Sequence, residues 1–324
     1  MSRVPERLAT ERLGQSLDDP FLVADLTRED SGRLPEEAAS LPMTGGRRVV
    51  RVRDVTDAAS AAVRQILDSA APALVVGDTV ALKHASNVTG CALAMETLWR
   101  DAGLPEHAFT VLLVPGAEAT SLVAHPAVAA VTLTGSEAAG MAVAETSGRA
   151  LKKIVLELGG SDPFLVLADA DVAMAARQAA VSRTINNGQS CIAAKRFIVD
   201  ERVADAFEAG FASALAALRV GDPLDRSTDV GPLARPDLVT DLVDQVRRTV
   251  AAGARLVLGG APLSGPGNLF PPTLLTGVGP GMAAWDEETF GPVAVVARAR
   301  DTALAIELAN ASPFGLAASL WTAD

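Results

Sequence analysis

The stretch IVLELGGSDPFLVLADAD at positions 154–171 decides the fold, together with NNGQSCIAAKR at 186–196. The first stretch contains an apolar, β-prone run that leads into Glu157 and then into a flexible pair of glycines. The second contains one cysteine, Cys191, in a turn-like run that favours an exposed nucleophile over a core residue. A glutamate and a cysteine in this order indicate covalent catalysis assisted by a general base.

β-prone runs and helical segments alternate on both sides of this stretch. Before it, the sequence predicts strands at 79–83, 109–114, 128–133 and 152–158 and helices at about 88–102 and 136–148. Such alternation is typical of a parallel sheet with crossover helices, a Rossmann-like cofactor domain. After it, the sequence predicts helices near 202–218 and 236–252 and strands near 196–199, 255–258 and 293–298. This second block is predicted to be an α/β catalytic domain.

Three segments are predicted along the chain. Residues 1–45 are rich in charged and turn-forming residues without sustained periodicity, so they are predicted to be a loosely ordered arm. Residues 46–158 are predicted to form the cofactor domain, which begins with one helix from Val55 whose apolar positions recur at helical spacing. Residues 159–324 are predicted to form the catalytic domain.

Composition restricts the class of protein. The chain has 324 residues, enough for about two domains, and its 39 acidic and 28 basic residues give a formal net charge of -11. This acidic balance argues against a nucleic-acid partner. The chain has no run of 18 apolar residues and begins with a charged segment, so we expect a cytoplasmic protein that does not enter a membrane. The chain has two cysteines, too few for a disulfide framework, and its Cys and His residues do not have the spacing of metal ligands. We therefore expect no disulfide and no metal.

The two opening motifs resemble those of the aldehyde dehydrogenase superfamily. Its LELGG and GQ-x-C signatures stand here at 156–160 and 188–191. Further segments match in the family's order at 79–90, 131–140, 220–233, 270–275 and 287–296. The similarity runs from about Ala71 to Asp324, and the KHASNV segment is similar to the succinate-semialdehyde dehydrogenase branch. The resemblance implies an α/β fold in which a Rossmann-like cofactor domain joins a catalytic domain of the aldehyde dehydrogenase type, incomplete at its carboxyl end.

The same resemblance implies a dinucleotide site, although no G-x-G-x-x-G follows the first strand. Gly135 and Ser136 would receive the pyrophosphate at a helix entry; an isolated Thr-Gly-Ser is more often an ordinary capped turn, and the ordered motifs favour the cofactor role. Lys83 would bind the adenosine ribose. Ser86 stands where many NAD-preferring relatives have a glutamate, so the cofactor is expected to be NADP or NAD, with NADP tolerated or preferred.

Further site residues follow from the resemblance. Glu288 and Phe290 match the residues that hold the nicotinamide ribose and ring, and Leu158 is also assigned to the cofactor site. Cys191 would attack a small-molecule aldehyde and carry it as a thiohemiacetal and then a thioester. Glu157 would activate water for hydrolysis, which favours an acid product over transfer to coenzyme A. The other cysteine, Cys91, is interpreted as a buried structural residue on a helix.

Two departures from the family pattern support an alternative. Ungapped counting places Ser60 where relatives have the asparagine that donates to the oxyanion, and one lost donor costs roughly 100- to 1,000-fold in rate. The sequence also stops at 319–324, inside a predicted strand, so we interpret the chain as a truncated or degenerate member, or a gene fragment. The alternative to an active dehydrogenase is therefore a pseudoenzyme that keeps the fold.

The family implies a homo-oligomer. An uncovered apolar edge in the sheet containing 293–296 and 317–321 would instead favour irregular association.

Overall fold

A computed structural model describes residues 79–324 apart from Pro266, together with two short strands at 23–26 and 49–52. The chain divides into two compact units, Met1–Val114 and Pro115–Asp324. The predicted domain boundary between 158 and 159 falls inside the second unit and stays a prediction. The helix predicted from Val55, and Ser60 within it, lie outside the described residues.

The first unit contains two parallel strand pairs. Strand β1 (Val23–Leu26) pairs with β2 (Val49–Val52), so regular structure occurs inside the segment that was predicted to be a loose arm. Strand β3 (Val80–Leu82), helix α1 (Thr89–Asp101) and strand β4 (Phe109–Val111) follow the predicted order, and β3 pairs with β4. A 3-10 helix at Ser86–Val88 lies between β3 and α1.

The second unit begins with another strand-helix-strand segment. After a 3-10 helix at Gly116–Glu118, its elements are α2 (Ala119–Ala124), β5 (Ala130–Thr134), α3 (Glu137–Arg149) and β6 (Lys153–Glu157). Strands β5 and β6 are parallel, with Thr134 opposite Glu157. The predicted parallel pairing of strands is therefore confirmed. Among the described strands before Gly160, each strand pairs with one neighbour, so these strands form separate two-stranded sheets.

The rest of the second unit is organised around a six-stranded sheet. Its elements in chain order are β7 (Pro163–Val166), α4 (Val172–Thr184), β8 (Arg196–Asp200), α5 (Glu201–Ala216), α6 (Pro236–Ala251), β9 (Arg255–Leu258), β10 (Thr273–Thr276), α7 (Ala283–Asp286), β11 (Val293–Ala299), α8 (Thr302–Asn310) and β12 (Ser319–Trp321). The strand order is β12-β7-β8-β11-β10-β9. All neighbours are parallel except β9, which runs antiparallel to β10.

Both faces of this sheet are buried, as expected for parallel strands covered by helices. On one face Phe164 and Phe197 pack against two phenylalanines of α5 and a row of alanines on α4. On the other face Ile198 and Val295 pack with Trp285. Burial of each of these large side chains contributes roughly 1.5–3 kcal/mol. The adjacent Phe197 and Ile198 therefore point to opposite cores, which fixes the register of β8.

The edges of the sheet differ from its centre in exposure. Strand β11 is hydrogen-bonded to β8 and β10, and Val293 to Val296 are fully buried. Strand β12 lies at an edge and Leu320 in it is 59% exposed. The apolar edge expected from the sequence therefore corresponds to β12, whereas Val293–Val296 is interior. No helix in the described ranges is both long and apolar enough to cross a membrane.

Candidate active site

The loop that carries Cys191 begins with an unusual backbone. Helix α4 ends at Thr184, and Asn186, Asn187 and Gly188 then have φ of 50°, 58° and 74°. Asparagine and glycine tolerate this left-handed region better than other residues. A side chain at Gly188 would also collide with the main-chain carbonyl of Gly291. The Asn-Asn-Gly sequence therefore allows the chain to turn between α4 and β8 and leaves Cys191 partly exposed.

Amide side chains attach this loop to the segment that precedes α6. Asn187 Oδ1 accepts the Gly231 N–H at 2.8 Å, and Asn187 Nδ2 donates to the Pro232 carbonyl at 3.3 Å. Gln189 Oε1 accepts the Ala234 N–H at 2.8 Å. The matched segments at 186–196 and 220–233 are thus parts of one structural unit, in which the second holds the first in place.

The LELGG segment lies directly against the cysteine loop. A β-carbon on Gly160 would meet the main-chain carbonyl oxygen of Cys191, so a larger residue has no room there. The Gly160 N–H donates to Glu288 Oε1 at 3.1 Å. A β-carbon on Gly159 would lie 2.5 Å from Glu288 Oε2. The two glycines therefore bring the end of β6, the Cys191 loop and Glu288 together.

Glu157 lies at the carboxyl end of β6, beside the turn predicted to bind phosphate. The Gly135 N–H donates to the Glu157 carbonyl at 3.0 Å, and the Glu157 side chain is exposed. Ser136 is the N-cap of α3, where its Oγ accepts the Ala139 N–H at 3.3 Å. Parallel strands place these residues together because both strands end at the same edge.

Leu158 has a packing role in this region. A β-carbon on Gly140 would lie 2.6 Å from Leu158 Cδ2, so the leucine fills the space that this helical glycine leaves. The contact holds α3 close to the segment after β6. The cofactor role assigned to Leu158 stays a prediction.

A buried lysine lies beside the loop that carries Cys191. The Lys195 side chain is 0% exposed, and its Nζ donates to the carbonyls of Ser190, Cys191 and Ala193 at 3.1, 3.2 and 3.1 Å. Nζ also lies 3.7 Å from Glu288 Oε1. Burial, reinforced by a nearby arginine, lowers the pKa of Lys195 to about 8.

Arg183 is the other buried cation near this loop. Its Nη2 donates to the Gly188 carbonyl at 2.6 Å, and burial lowers its pKa to about 9 against the opposing attraction of Glu288 and Asp162. Asp162 Oδ1 accepts the Ala317 N–H at 3.1 Å, and burial raises the pKa of this carboxyl above its ordinary value. Two cations and two carboxylates thus surround the base of the Cys191 loop.

Two predicted cofactor residues belong to the first compact unit. The half-buried Lys83 donates from Nζ to the His84 carbonyl at 2.6 Å. Ser86 is exposed and begins the 3-10 helix, where its carbonyl accepts from Thr89 Oγ1 at 3.3 Å. Their roles toward the ribose stay predictions.

Glu288 and Phe290 line a cavity of about 270 Å³ against α6. Gln245 Nε2 donates to the Glu288 carbonyl at 3.1 Å, and Arg248 forms a two-point ion pair with Glu287 at 2.7 and 2.8 Å. This cavity has polar and aromatic walls suited to part of a ligand. The assignment of Glu288 and Phe290 to the nicotinamide side of the cofactor stays a prediction.

The interpretation of Cys91 as a buried residue is wrong. Cys91 is exposed on α1, whereas the adjacent Ala92 is buried with 3% exposure. Successive residues on a helix point about 100° apart, so an apolar neighbourhood in sequence does not bury every member. Both cysteines are therefore accessible to some extent, and they are free of disulfides.

Sequence reasoning missed the buried Asp162, Arg183 and Lys195 around the loop and the half-buried Asn187. A signal was available for Lys195, since it follows the apolar residues 192–194 and directly precedes β8. A lysine in such a position is buried only when it has partners. No signal of this kind marks Arg183. In the described ranges, no group of three His, Cys, Asp or Glu side chains is arranged to hold a metal ion.

Comparison with known proteins agrees with this geometry. The family model described as "Aldehyde dehydrogenase family" matches residues 61–324. The chain belongs to the aldehyde dehydrogenase family. A probable NADP(+) succinate-semialdehyde dehydrogenase from Synechocystis is 52% identical over 80% of this chain and 57% of its own length. The Escherichia coli succinate semialdehyde dehydrogenase Sad is 48% identical over 80% of this chain and 56% of its own.

Solved structures of aldehyde dehydrogenases have the same fold. Lactaldehyde dehydrogenase from Escherichia coli aligns with a TM-score of 0.75 at 34% identity, over 82% of this chain and 55% of that one. The succinic semialdehyde dehydrogenase of Streptococcus pyogenes, solved in complex with NADP+, aligns with a TM-score of 0.74 at 30% identity, over 93% and 60% of the two chains. The sequence analysed thus spans little more than half the length of the relatives it matches.

Proposed function

We propose that this chain oxidises an aldehyde to a carboxylic acid with NADP or NAD, and that succinate semialdehyde is a substrate. The contact between Gly160 and the Cys191 carbonyl carries this proposal, because it joins the loop of the nucleophile to the strand of the general base. The substrate is inferred from the two relatives that are 52% and 48% identical, both named succinate-semialdehyde dehydrogenases.

Cys191 is the proposed nucleophile. Its thiolate attacks the aldehyde carbon, so that a C–S bond forms and the carbonyl oxygen becomes an alkoxide. The Cys191 N–H has no hydrogen-bond partner within the described residues, and it is therefore available to donate to that oxygen. An exposed side of the loop gives the substrate access to the thiol.

Glu157 is the proposed base for the hydrolytic step. Its side chain is exposed at the end of β6, where water reaches it. Glu157 takes a proton from the water molecule whose oxygen attacks the thioester carbon. The C–S bond then breaks, the acid leaves, and the Cys191 thiolate is restored.

The residues present fit a dinucleotide. The first turn of α3 follows exposed Gly135 and Ser136. Its Ala139 N–H donates to the Ser136 Oγ, and its earlier N–H groups have no partners within the helix, as an anionic pyrophosphate requires. Exposed Ser86 brings no negative charge that would repel a 2'-phosphate. When bound, NADP or NAD supplies the acceptor for the hydride that leaves the substrate carbon.

Cofactor reduction with a panel of aldehydes that includes succinate semialdehyde tests the proposal, with Cys191→Ser as the control. We expect absorbance of the reduced cofactor from the unsubstituted chain and none from the control. Cofactor binding in calorimetry without turnover of any aldehyde would contradict the proposal and support the alternative of a pseudoenzyme. The cytoplasmic location and the homo-oligomeric state stay predictions.

A further inference from the structure

The ammonium of Lys195 donates its hydrogen bonds to the loop that carries the proposed nucleophile, Cys191. It donates to three main-chain carbonyls, of Ser190, Cys191 and Ala193, and these span the cysteine itself. Lysine has three N–H donors and no acceptor. One buried side chain therefore restrains the backbone on both sides of Cys191.

Glu288 connects Lys195 to the LELGG segment, because it contacts both. Its Oε1 lies 3.7 Å from Lys195 Nζ and accepts the Gly160 N–H at 3.1 Å. Gly160 in turn lies against the Cys191 carbonyl, which is also an acceptor for Lys195. The Cys191 carbonyl is thus held from two sides, by a hydrogen bond and by a close packing contact.

The charge of this lysine is costly to bury and therefore needs its partners. Arg183 from α4 opposes the charge, whereas Glu288 from the loop before β11, Asp162 from the segment before β7 and Cys191 favour it. Burial is the largest of these effects and brings the pKa of Lys195 to about 8.

We propose that Lys195 is a positioning residue that holds the Cys191 loop in its reactive conformation through its three carbonyl contacts. The inference rests on the proposed function only in calling the conformation reactive, because the anchoring itself is independent of turnover. It assigns the task of placing the proposed nucleophile to a residue of the 186–196 segment other than the cysteine.

Hydrogen exchange of peptides that cover 186–195 tests the anchoring without substrate or cofactor. In Lys195→Met, amides of this segment should exchange at least about tenfold faster, which is the effect of losing one charge-assisted hydrogen bond. The matched control is Lys152→Met, because Lys152 also donates to main-chain carbonyls, those of Val123 and His125. The control should leave exchange of 186–195 unchanged. Equal exchange in Lys195→Met and the unsubstituted chain would overturn the proposal.

The pH dependence of the unsubstituted chain gives a second measurement that needs no variant. After correction for the exchange rate of an unstructured peptide, protection of 186–195 should rise as pH increases from about 8, because opening the loop returns Lys195 to water, where it binds more protons. Unchanged protection through this range would overturn the proposal, even if Lys195→Met failed to fold.

If the chain oxidises aldehydes, Lys195→Met should lower kcat more than it changes KM. If the unsubstituted chain turns over aldehydes but Lys195→Met leaves hydrogen exchange unaffected, this inference alone is rejected. If Lys195→Met alters hydrogen exchange but the unsubstituted chain turns over no aldehyde, the proposed function alone is rejected.

Discussion

The α-carbon of Gly160 lies against the carbonyl oxygen of Cys191, with no space for a β-carbon between them. The two residues are 31 positions apart in the sequence. Gly160 lies between β6 and β7, whereas Cys191 lies between α4 and β8. Their contact explains why glycine is needed here, although Gly160 has no positive φ. It also transmits any change in the LELGG segment to the backbone that carries the thiol.

Gly160→Ala should therefore displace the Cys191 loop. We expect kcat/KM for aldehyde oxidation to fall about 100-fold or more, since a displacement of about 1 Å in an active site costs this much. Gly148→Ala is the matched control, because a β-carbon there has nothing within 4 Å and alanine favours the helix. Full activity in Gly160→Ala would show that the loop adapts to the added methyl group.

Alkylation of Cys191 should abolish oxidation. Because Cys91 is exposed as well, labelling order does not identify the nucleophile, and the experiment needs a Cys91→Ser background. We expect iodoacetamide to remove activity from Cys91→Ser in step with modification of Cys191 measured by mass spectrometry. Alkylation of Cys91 in the Cys191→Ser protein is the control for modification alone. Activity that survives complete modification of Cys191 would reject its catalytic assignment.

Glu157→Gln should separate the two chemical steps. Thiolate attack and cofactor reduction should still give one equivalent of reduced cofactor per site, after which steady turnover should be slower by about 100-fold or more because the base is missing. Stopped-flow absorbance detects this burst. Glu145→Gln is the control, since Glu145 is an exposed residue of α3 that pairs with Arg149. Loss of the burst itself would mean that Glu157 acts before the thioester forms.

Ser86→Glu should penalise NADP selectively. A carboxylate within about 4 Å of the 2'-phosphate costs on the order of 1 kcal/mol even in water, so the Kd for NADP should rise at least about fivefold. Binding of NAD should change little. Calorimetric titration of both cofactors measures the difference, and Ser86→Gln controls for size without charge. An equal effect on both cofactors would place ribose recognition elsewhere.

The buried charge of Lys195 should make stability depend on pH. Burial lowers its pKa to about 8, against 10.5 for a solvated lysine, so the unfolded chain binds more protons between these values. The contribution of Lys195 to the free energy of unfolding should therefore rise with pH across this window, by on the order of 3 kcal/mol. Denaturant unfolding of the unsubstituted chain and Lys195→Met measures it. Parallel pH dependence of the two proteins would contradict the lowered pKa of the buried lysine.

Local sequence determined the alternation of strands and helices and the two motifs of the active site. The strands β5, β6, β8 and β9 and the helices α5 and α6 lie within a few residues of their predicted positions, because apolar periodicity and turn residues act over short distances. Glu157 and Cys191 were recognised for the same reason, since each lies in a short motif whose flanking glycines are informative. The exposure of Cys91 was missed because periodicity does not show which face of α1 is covered.

Tertiary structure alone decided how these motifs meet. The Gly160–Glu288 hydrogen bond joins residues 128 positions apart, and the Asn187–Gly231 bond joins residues 44 apart. These contacts depend on the strand order β12-β7-β8-β11-β10-β9, which no local pattern specifies. The burial of Lys195 follows from the same order, because helices and loops from four parts of the chain close around its side chain. Short-range patterns indicated Glu157 and Cys191 as candidate site residues, and long-range packing fixed which groups surround them.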